Sequence, residues 1–256
     1  MLLSRGSYRV TNGDLDYLIK LLINLLFLYT STDAYSADGQ ITMACNHFPP
    51  LKIEKPVGGM IGADIEVLNS AFTLAGIEVK TTYFPWKRAL ILAQNGKYDG
   101  LCSCSYTKDR ENDFYYSDEI GRNSIGLYTV TKEVITSLST LNGKRIGVVR
   151  GYNLEEELKE YNLSIVTGAN DINLLKMLKA KRIDAVYSYK TVIAELSKTN
   201  RFIKDLNYQE IYSAPYFTCF SKKAKDNKEL LDIFNKNLKV IKANGSYEKI
   251  KKKYGL

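Results

Sequence analysis

The chain has 256 residues, 25% of them charged and 45% drawn from AVILMFWYC. That globular balance excludes a disordered or collagen-like chain and allows one large domain or two small ones. Basic residues outnumber acidic ones by 36 − 28 = 8, but the lysines are scattered and no basic block interleaves with aromatics, so no nucleic-acid partner is expected. A single histidine, His47, excludes most zinc sites and most histidine-based catalysis; neither a metal nor a cofactor is expected.

The chain opens with an apolar run over residues 18–29, LIKLLINLLFLY, interrupted only by Lys20 and Asn24. It is too short for a comfortable membrane anchor, and the small or polar stretch Ser31–Ala37 follows it. This layout predicts a secretory leader over residues 1–37, with Ala34 and Ser36 at the −3 and −1 positions of a cut. An uncleaved N-terminal anchor is the rival reading.

Beyond the leader, residues 40–45 alternate as a strand and Asn46-His47-Phe48-Pro49-Pro50 breaks it. Residues 62–76 place Ile65, Leu68, Phe72 and Ala75 on one helical stripe closed by Gly76. A strand over 77–84, a helix over 86–95 closed by Gly96 and a strand over 98–105 follow. The same alternation resumes with a strand at 145–149, a turn at Arg150-Gly151-Tyr152-Asn153 and a helix from Leu154 to about Tyr161. A strand at 163–167, a helix at 170–180 and a strand at 183–188 complete it. Strands alternating with helices at this spacing predict α/β sheets with crossover helices. The tail, 226–254, is amphipathic and broken at Asn244-Gly245. Two extended segments, about 125–131 and 211–221, are read as crossings between two α/β lobes. The expected division is residues 38–128 plus 218–256 for the first lobe and 129–217 for the second.

The blocks carrying these elements resemble a known family. Phe48-Pro49-Pro50 follows the opening strand, and Gly62-Ala63-Asp64-Ile65-Glu66 is similar to the family's G-[FY]-D-[VI]-[DE]. Ala93–Gly100, Ser105–Arg110, Tyr116-Ser117-Asp118, Leu141–Val148, Leu178–Ala185 and Asn244–Ile250 then come in the family's order. Each block alone is weak; eight in order make the chain resemble the extracellular solute-binding proteins of family 3, over residues 40–255. The resemblance implies a type II periplasmic-binding-protein fold, two sheets flanked by helices that close by hinge motion on a small solute. It also implies a monomer that passes its solute to an ABC permease or a membrane sensor. A sensory ligand-binding protein and a cyclohexadienyl-dehydratase-like enzyme on the same fold are the alternatives.

Carried over by position, the resemblance makes Phe48 and Trp86 aromatic walls of the cleft and puts Cys102, Ser103 and Ser105 among its donors. Arg110 matches the arginine that grips a ligand carboxylate, and Gly151-Tyr152-Asn153 the second lobe's loop, which donates N–H groups. Cys45 and Tyr189 stand where relatives carry acids for a cationic ligand or an α-ammonium. With both acids absent, the resemblance does not extend to lysine, arginine or histidine as ligand, because an unpaired buried charge is costly.

Each residue also has a plainer reading. Arg110 could serve a structural ion pair with Asp109, Glu111 or Asp113, although its planar fork suits a carboxylate. Trp86 and Phe48 could be core, Lys87 and Arg88 are read as solvated, and Tyr152 and Tyr189 are two of 19 tyrosines. Cys102 and Cys104 are not expected to bridge each other. Buried free thiols are favoured over a disulfide such as Cys45 with Cys102 or Cys104, and metal binding by thiols with His47 comes third.

Overall fold

A computed structural model describes residues 39–256; the expected leader lies outside them. Nine strands and seven α-helices follow one another along this span. In chain order they begin with β1 (Gln40–Cys45), α1 (Ala63–Thr73), β2 (Glu78–Tyr83), α2 (Trp86–Gln94) and β3 (Gly100–Ser105). Next come β4 (Phe114–Tyr116), β5 (Gly121–Thr129), β6 (Arg145–Val149), α3 (Asn153–Leu158), β7 (Ser164–Gly168) and α4 (Asp171–Lys179). The chain ends with β8 (Ala185–Tyr189), α5 (Lys190–Thr199), β9 (Asn207–Ser221), α6 (Asn227–Ala243) and α7 (Ser246–Lys253).

The strands form one curled sheet in the order β2-β1-β3-β9-β5-β8-β6-β7, with β4 also on β9. Two parallel trios, β2-β1-β3 and β8-β6-β7, flank an antiparallel centre of β9 and β5. The 15-residue β9 runs through both halves: residues 207–216 pair with β5, and 216–221 with β3 and β4. The two segments read as crossings are thus β5 and β9, and both reach further toward the N-terminus than periodicity suggested. A parallel trio needs two helical crossovers. Here α1 and α2 connect β1, β2 and β3, and α3 and α4 connect β6, β7 and β8.

Each half has its own apolar core. Phe72 of α1, Phe220 of β9 and Phe234 of α6 pack with centroids 5.7–6.2 Å apart, and all three are fully buried. Burial of each such side chain stabilises the fold by about 1.5–3 kcal/mol. This cluster seats α6 on the β2-β1-β3 half, and α7 packs on α1 beside it. Gly245, at φ 77, breaks the tail into two helices where Asn244-Gly245 suggested. On the other half, Leu174, Leu175 and Leu178 of α4 are buried with Val148 and Val186 of the strands.

The cysteines overturn the preference for free thiols. Cys45 of β1 is bonded to Cys102 of β3, with Cα atoms 5.2 Å apart, and Cys104 of β3 to Cys219 of β9 at 6.2 Å. Both separations suit a disulfide. Strand β3 lies between β1 and β9, so its two cysteines bridge one to each neighbour. The second pair spans a break in register, between Leu101↔Cys219 and Cys104↔Phe217, where a bulge re-aims side chains. No local pattern reveals that pairing.

Candidate functional site

In open α/β sheets, ligands bind beyond the carboxyl ends of the parallel strands. Those ends converge here. Strand β1 runs out into Asn46 and Phe48, β3 carries Ser103 and Ser105, β6 leads to Tyr152 and Asn153, and β8 ends on Tyr189. Trp86 opens α2 after Pro85, and Arg110 sits in a 3-10 turn over Asp109–Asn112. Together they line a cavity of about 40 Å3, which Lys52, Asn123 and Tyr216 also face. A wider cleft of about 380 Å3 shares Asn46, Trp86 and Tyr152 with it.

Arg110 is buried, and none of its side-chain hydrogen bonds goes to Asp109, Glu111 or Asp113. Its Nη1 donates to the Ser105 carbonyl at 3.2 Å and its Nη2 to the Gly151 carbonyl at 3.0 Å. The guanidinium carbon stands 5.4 Å from the Trp86 ring centroid. Burial lowers its pKa from the ordinary value, with Tyr189, Tyr116 and Glu156 acting against that, and a guanidinium stays cationic regardless. Trp86 Nε1 donates to the same Gly151 carbonyl at 2.7 Å. One backbone oxygen on the β6 side therefore receives two donors from the β3 side. Gly151 takes φ 79, and a Cβ there would lie 2.8 Å from Lys87 Cδ, so only glycine turns this carbonyl inward without strain. The loop differs from what the resemblance implied: the Gly151 N–H is taken by Glu155 Oε2 at 2.6 Å, and the carbonyl faces Trp86 and Arg110.

The phenols form the opposite wall. Tyr189 donates to Asn153 Oδ1 at 2.5 Å and lies 2.9 Å from Ser105 Oγ. Phe48 packs edge-on against Tyr189 at 5.6 Å, and Tyr152 lies between Trp86 and Tyr189 at 6.2 and 5.4 Å. Burial pushes Tyr189 up to about 12 and Tyr152 well above its ordinary value, so both are neutral donors. Behind them, Tyr152 donates to Asp171 at 3.4 Å, and Ser188 donates to the same carboxylate.

Asp171 is fully enclosed, and burial raises its pKa to about 6 against the bonds from Ser188 and Tyr152. A raised pKa means that the folded chain holds this proton more tightly than the unfolded one. The associated stability is fully present below about pH 4 and is lost as pH rises through 6. Two units correspond to about 3 kcal/mol. Urea midpoints measured from pH 4 to 7 should show this loss in the wild type and not in Asp171→Asn; equal slopes would refute it.

Of the ten residues singled out, Phe48, Trp86, Ser103, Ser105, Arg110, Tyr152, Asn153 and Tyr189 line the cavity. Cys45 and Cys102 do not. They are bonded to each other in the sheet, with no thiol left to donate. Four polar residues of the lining were missed, Tyr216 among them. Lys52 is buried, its Nζ 2.7 Å from Ser103 Oγ, and burial brings its pKa down to about 8 against the opposing field of Asp64. Asn46 and Asn123 are 6% and 7% exposed, and the side-chain oxygen of each is buried without a partner. Among the described residues no group of three metal-ligating side chains occurs.

A small cavity walled by both halves of a curled α/β sheet defines a solute-binding protein. The model of the bacterial extracellular solute-binding proteins, family 3, matches residues 41–256, and the chain belongs to this family. It is 26% identical over 238 residues to ABC transporter arginine-binding protein 1 of Escherichia coli, covering 91% of this chain and 97% of the relative. It is 27% identical over 205 residues to the arginine-binding extracellular protein ArtP of Bacillus subtilis, covering 76% and 78%. A solved ancestral arginine-binding protein bound to arginine superposes with a TM-score of 0.76 at 25% identity, covering 86% of this chain and 99% of that one. Such relatives are extracellular or periplasmic binding proteins, and the fold is of their two-lobed type.

Proposed function

We propose that the protein is a periplasmic receptor that closes its lobes on a small carboxylate-bearing solute and presents it to an ABC importer. The lobes are residues 38–128 with 218–256 and residues 129–217, with β5 and β9 as the crossings. The single observation that carries this reading is Arg110: a buried guanidinium that lines the cavity and whose acceptors are two neutral carbonyls. A carboxylate is a stronger acceptor than either carbonyl, and the guanidinium has five N–H groups, of which these two bonds use two. Phe48, Trp86 and Tyr152 supply its apolar walls, and Ser103, Ser105, Asn153 and Tyr189 its neutral polar contacts.

The relatives' arginine is not carried over to this chain. No carboxylate lines the cavity; Asp64, Asp171 and Glu157 stand behind Tyr216, Tyr152 and Asn153. A guanidinium or α-ammonium would meet Arg110 and Lys52 with no carboxylate in the lining to pair it. The test is a thermal-shift screen of residues 39–256 against amino acids, organic acids, short peptides and sugars. A ligand at 100 times its Kd stabilises by about 2.7 kcal/mol. Carboxylates should raise the midpoint; a shift confined to sugars would overturn the proposal, and one confined to arginine and lysine would overturn the exclusion of a cationic solute.

A further inference from the structure

Lys52 is a buried cation with no carboxylate in direct contact. The segment that carries it is held firmly: Phe48 and Lys52 exchange backbone hydrogen bonds of 2.8 and 2.9 Å. The start of α1 presses against it, with Gly62 at φ 114 where a Cβ would lie 2.4 Å from the Leu51 carbonyl. The side chain therefore has one course, over the Phe48 ring at 5.1 Å to Ser103. There the ammonium donates one hydrogen bond to a neutral hydroxyl. An ammonium has three donors, and among the described residues neither Lys52 nor Arg110 has a carboxylate within 4.0 Å. Asp64 lies on the far side of Ser103 and acts on Lys52 across it, while one of its carboxylate oxygens accepts from Tyr216 at 3.1 Å. A buried cation left in this condition is costly unless something else completes it.

Two further observations concern what the cavity receives. Asn46 and Asn123 line the cavity with Lys52, are more than nine-tenths buried, and each has an unpartnered side-chain oxygen. An amide can turn either its N–H2 or its C=O toward a ligand, and polar groups so buried are ordinarily paired. The second observation is position. Lys52 donates to the Ser103 hydroxyl and Arg110 to the Ser105 carbonyl, so the end of β3 holds both cations. The cavity thus has two cations and no carboxylate in its lining.

We infer that the solute carries two anionic groups, one received by Arg110 and the other by Lys52 beside Ser103, and that it is a small dicarboxylate without an ammonium group. This rests on the carboxylate reading above and narrows it. Lys52 is then the residue that discriminates a dicarboxylate from a monocarboxylate of the same length. A monocarboxylate leaves the ammonium unpaired, and groups left unpaired in a site are the strongest source of rejection.

The experiment is calorimetry at constant ionic strength with aliphatic mono- and dicarboxylates of three to six carbons, together with aspartate and glutamate. In the wild type, at least one dicarboxylate should bind about tenfold to a hundredfold more tightly than the monocarboxylate of equal length. Lys52→Met should bring that ratio to about one, and Lys52→Arg should retain part of it. Equal affinities in the wild type, or an undiminished ratio in Lys52→Met, would overturn the inference and make Lys52 a structural partner of Asp64. Tighter binding of glutamate or aspartate than of every dicarboxylate would overturn the absence of an ammonium. Should Lys52→Met fail to fold, the wild-type ratio decides, with Ser103→Ala expected to reduce it. Binding of no carboxylate at all would instead strike the proposed function itself.

Discussion

Loss of the Cys104–Cys219 bond, as the double variant Cys104→Ser with Cys219→Ser, is expected to remove a large part of the stability of the fold. The bond closes a loop with a sequence separation of 115, and Cys45–Cys102 one of 57. On the chain-entropy account, loops of these lengths contribute about 4–5 kcal/mol each by restricting the unfolded chain. Net stabilities of folded proteins are about 5–15 kcal/mol, so either loss is severe. The two loops do not overlap in sequence, one ending at Cys102 and the other starting at Cys104. Their entropic contributions are therefore close to independent, and reduction of both should unfold the protein near physiological temperature. The Cys104 bond has a second consequence. Cys104 lines the cavity between Ser103 and Ser105, and its partner strand β9 continues into the pairing with β5. The double variant should bind solute more weakly than the Cys45→Ser with Cys102→Ser variant, whose bond lies within the β1–β3 pair. Denaturant titration gives the stabilities, and thiol titration of the unfolded, unreduced protein checks the premise. Four titratable thiols would end the argument.

How the cysteines pair marks the boundary of what the sequence conveys. Elements were legible where local chemistry closes them: Gly76 and Gly96 after α1 and α2, Gly151 between β6 and α3, Gly245 between α6 and α7. Helix stripes such as Ile65, Leu68 and Phe72 showed their buried face directly. Strand β4, only three residues long, exists because β9 offers it an edge, and no three-residue pattern announces that. Helix α5, with only Val192 and Ile193 buried, has too narrow an apolar face to stand out. The site divides along the same line. Trp86, Arg110, Tyr152, Asn153 and Tyr189 could be placed because the blocks that resemble the family come in its order, which locates strand ends, and strand ends locate the cavity. Lys52, Asn46 and Asn123 are polar residues in or beside strands, where an exposed position is the ordinary expectation. They become buried only when elements distant in sequence meet over them. That is also why they are informative, since no local need of the chain explains their burial.

Arg110→Ala is expected to lower affinity for the solute by tenfold to a hundredfold or more. Hydrogen bonds to charged groups contribute about 1.5–3 kcal/mol each, and a guanidinium can donate two to one carboxylate. Arg110 is also one of two donors that link the β3 side to the Gly151 carbonyl, the other being Trp86. Alanine therefore weakens closure as well as capture, and further variants separate the two effects. Arg110→Lys keeps the charge without the fork, so it should restore little. Trp86→Phe keeps a ring but removes the N–H that reaches Gly151, so it tests the link between the halves while sparing most of the apolar wall. Trp86→Ala removes both and should weaken binding further. Lys253→Ala removes one positive charge from α7, where the side chain pairs with Glu66 at 2.5 Å on the surface, and should leave affinity unchanged. Net charge is thereby matched between Arg110→Ala and its control. Calorimetry on the solute found by the thermal screen measures all five variants. A wild-type affinity in Arg110→Ala would mean that the guanidinium serves only to join the two carbonyls, and the carboxylate assignment would fall with it. An equal loss in Arg110→Ala and Trp86→Phe, with Arg110→Lys fully active, would move the role of Arg110 from recognition of the solute to closure of the lobes.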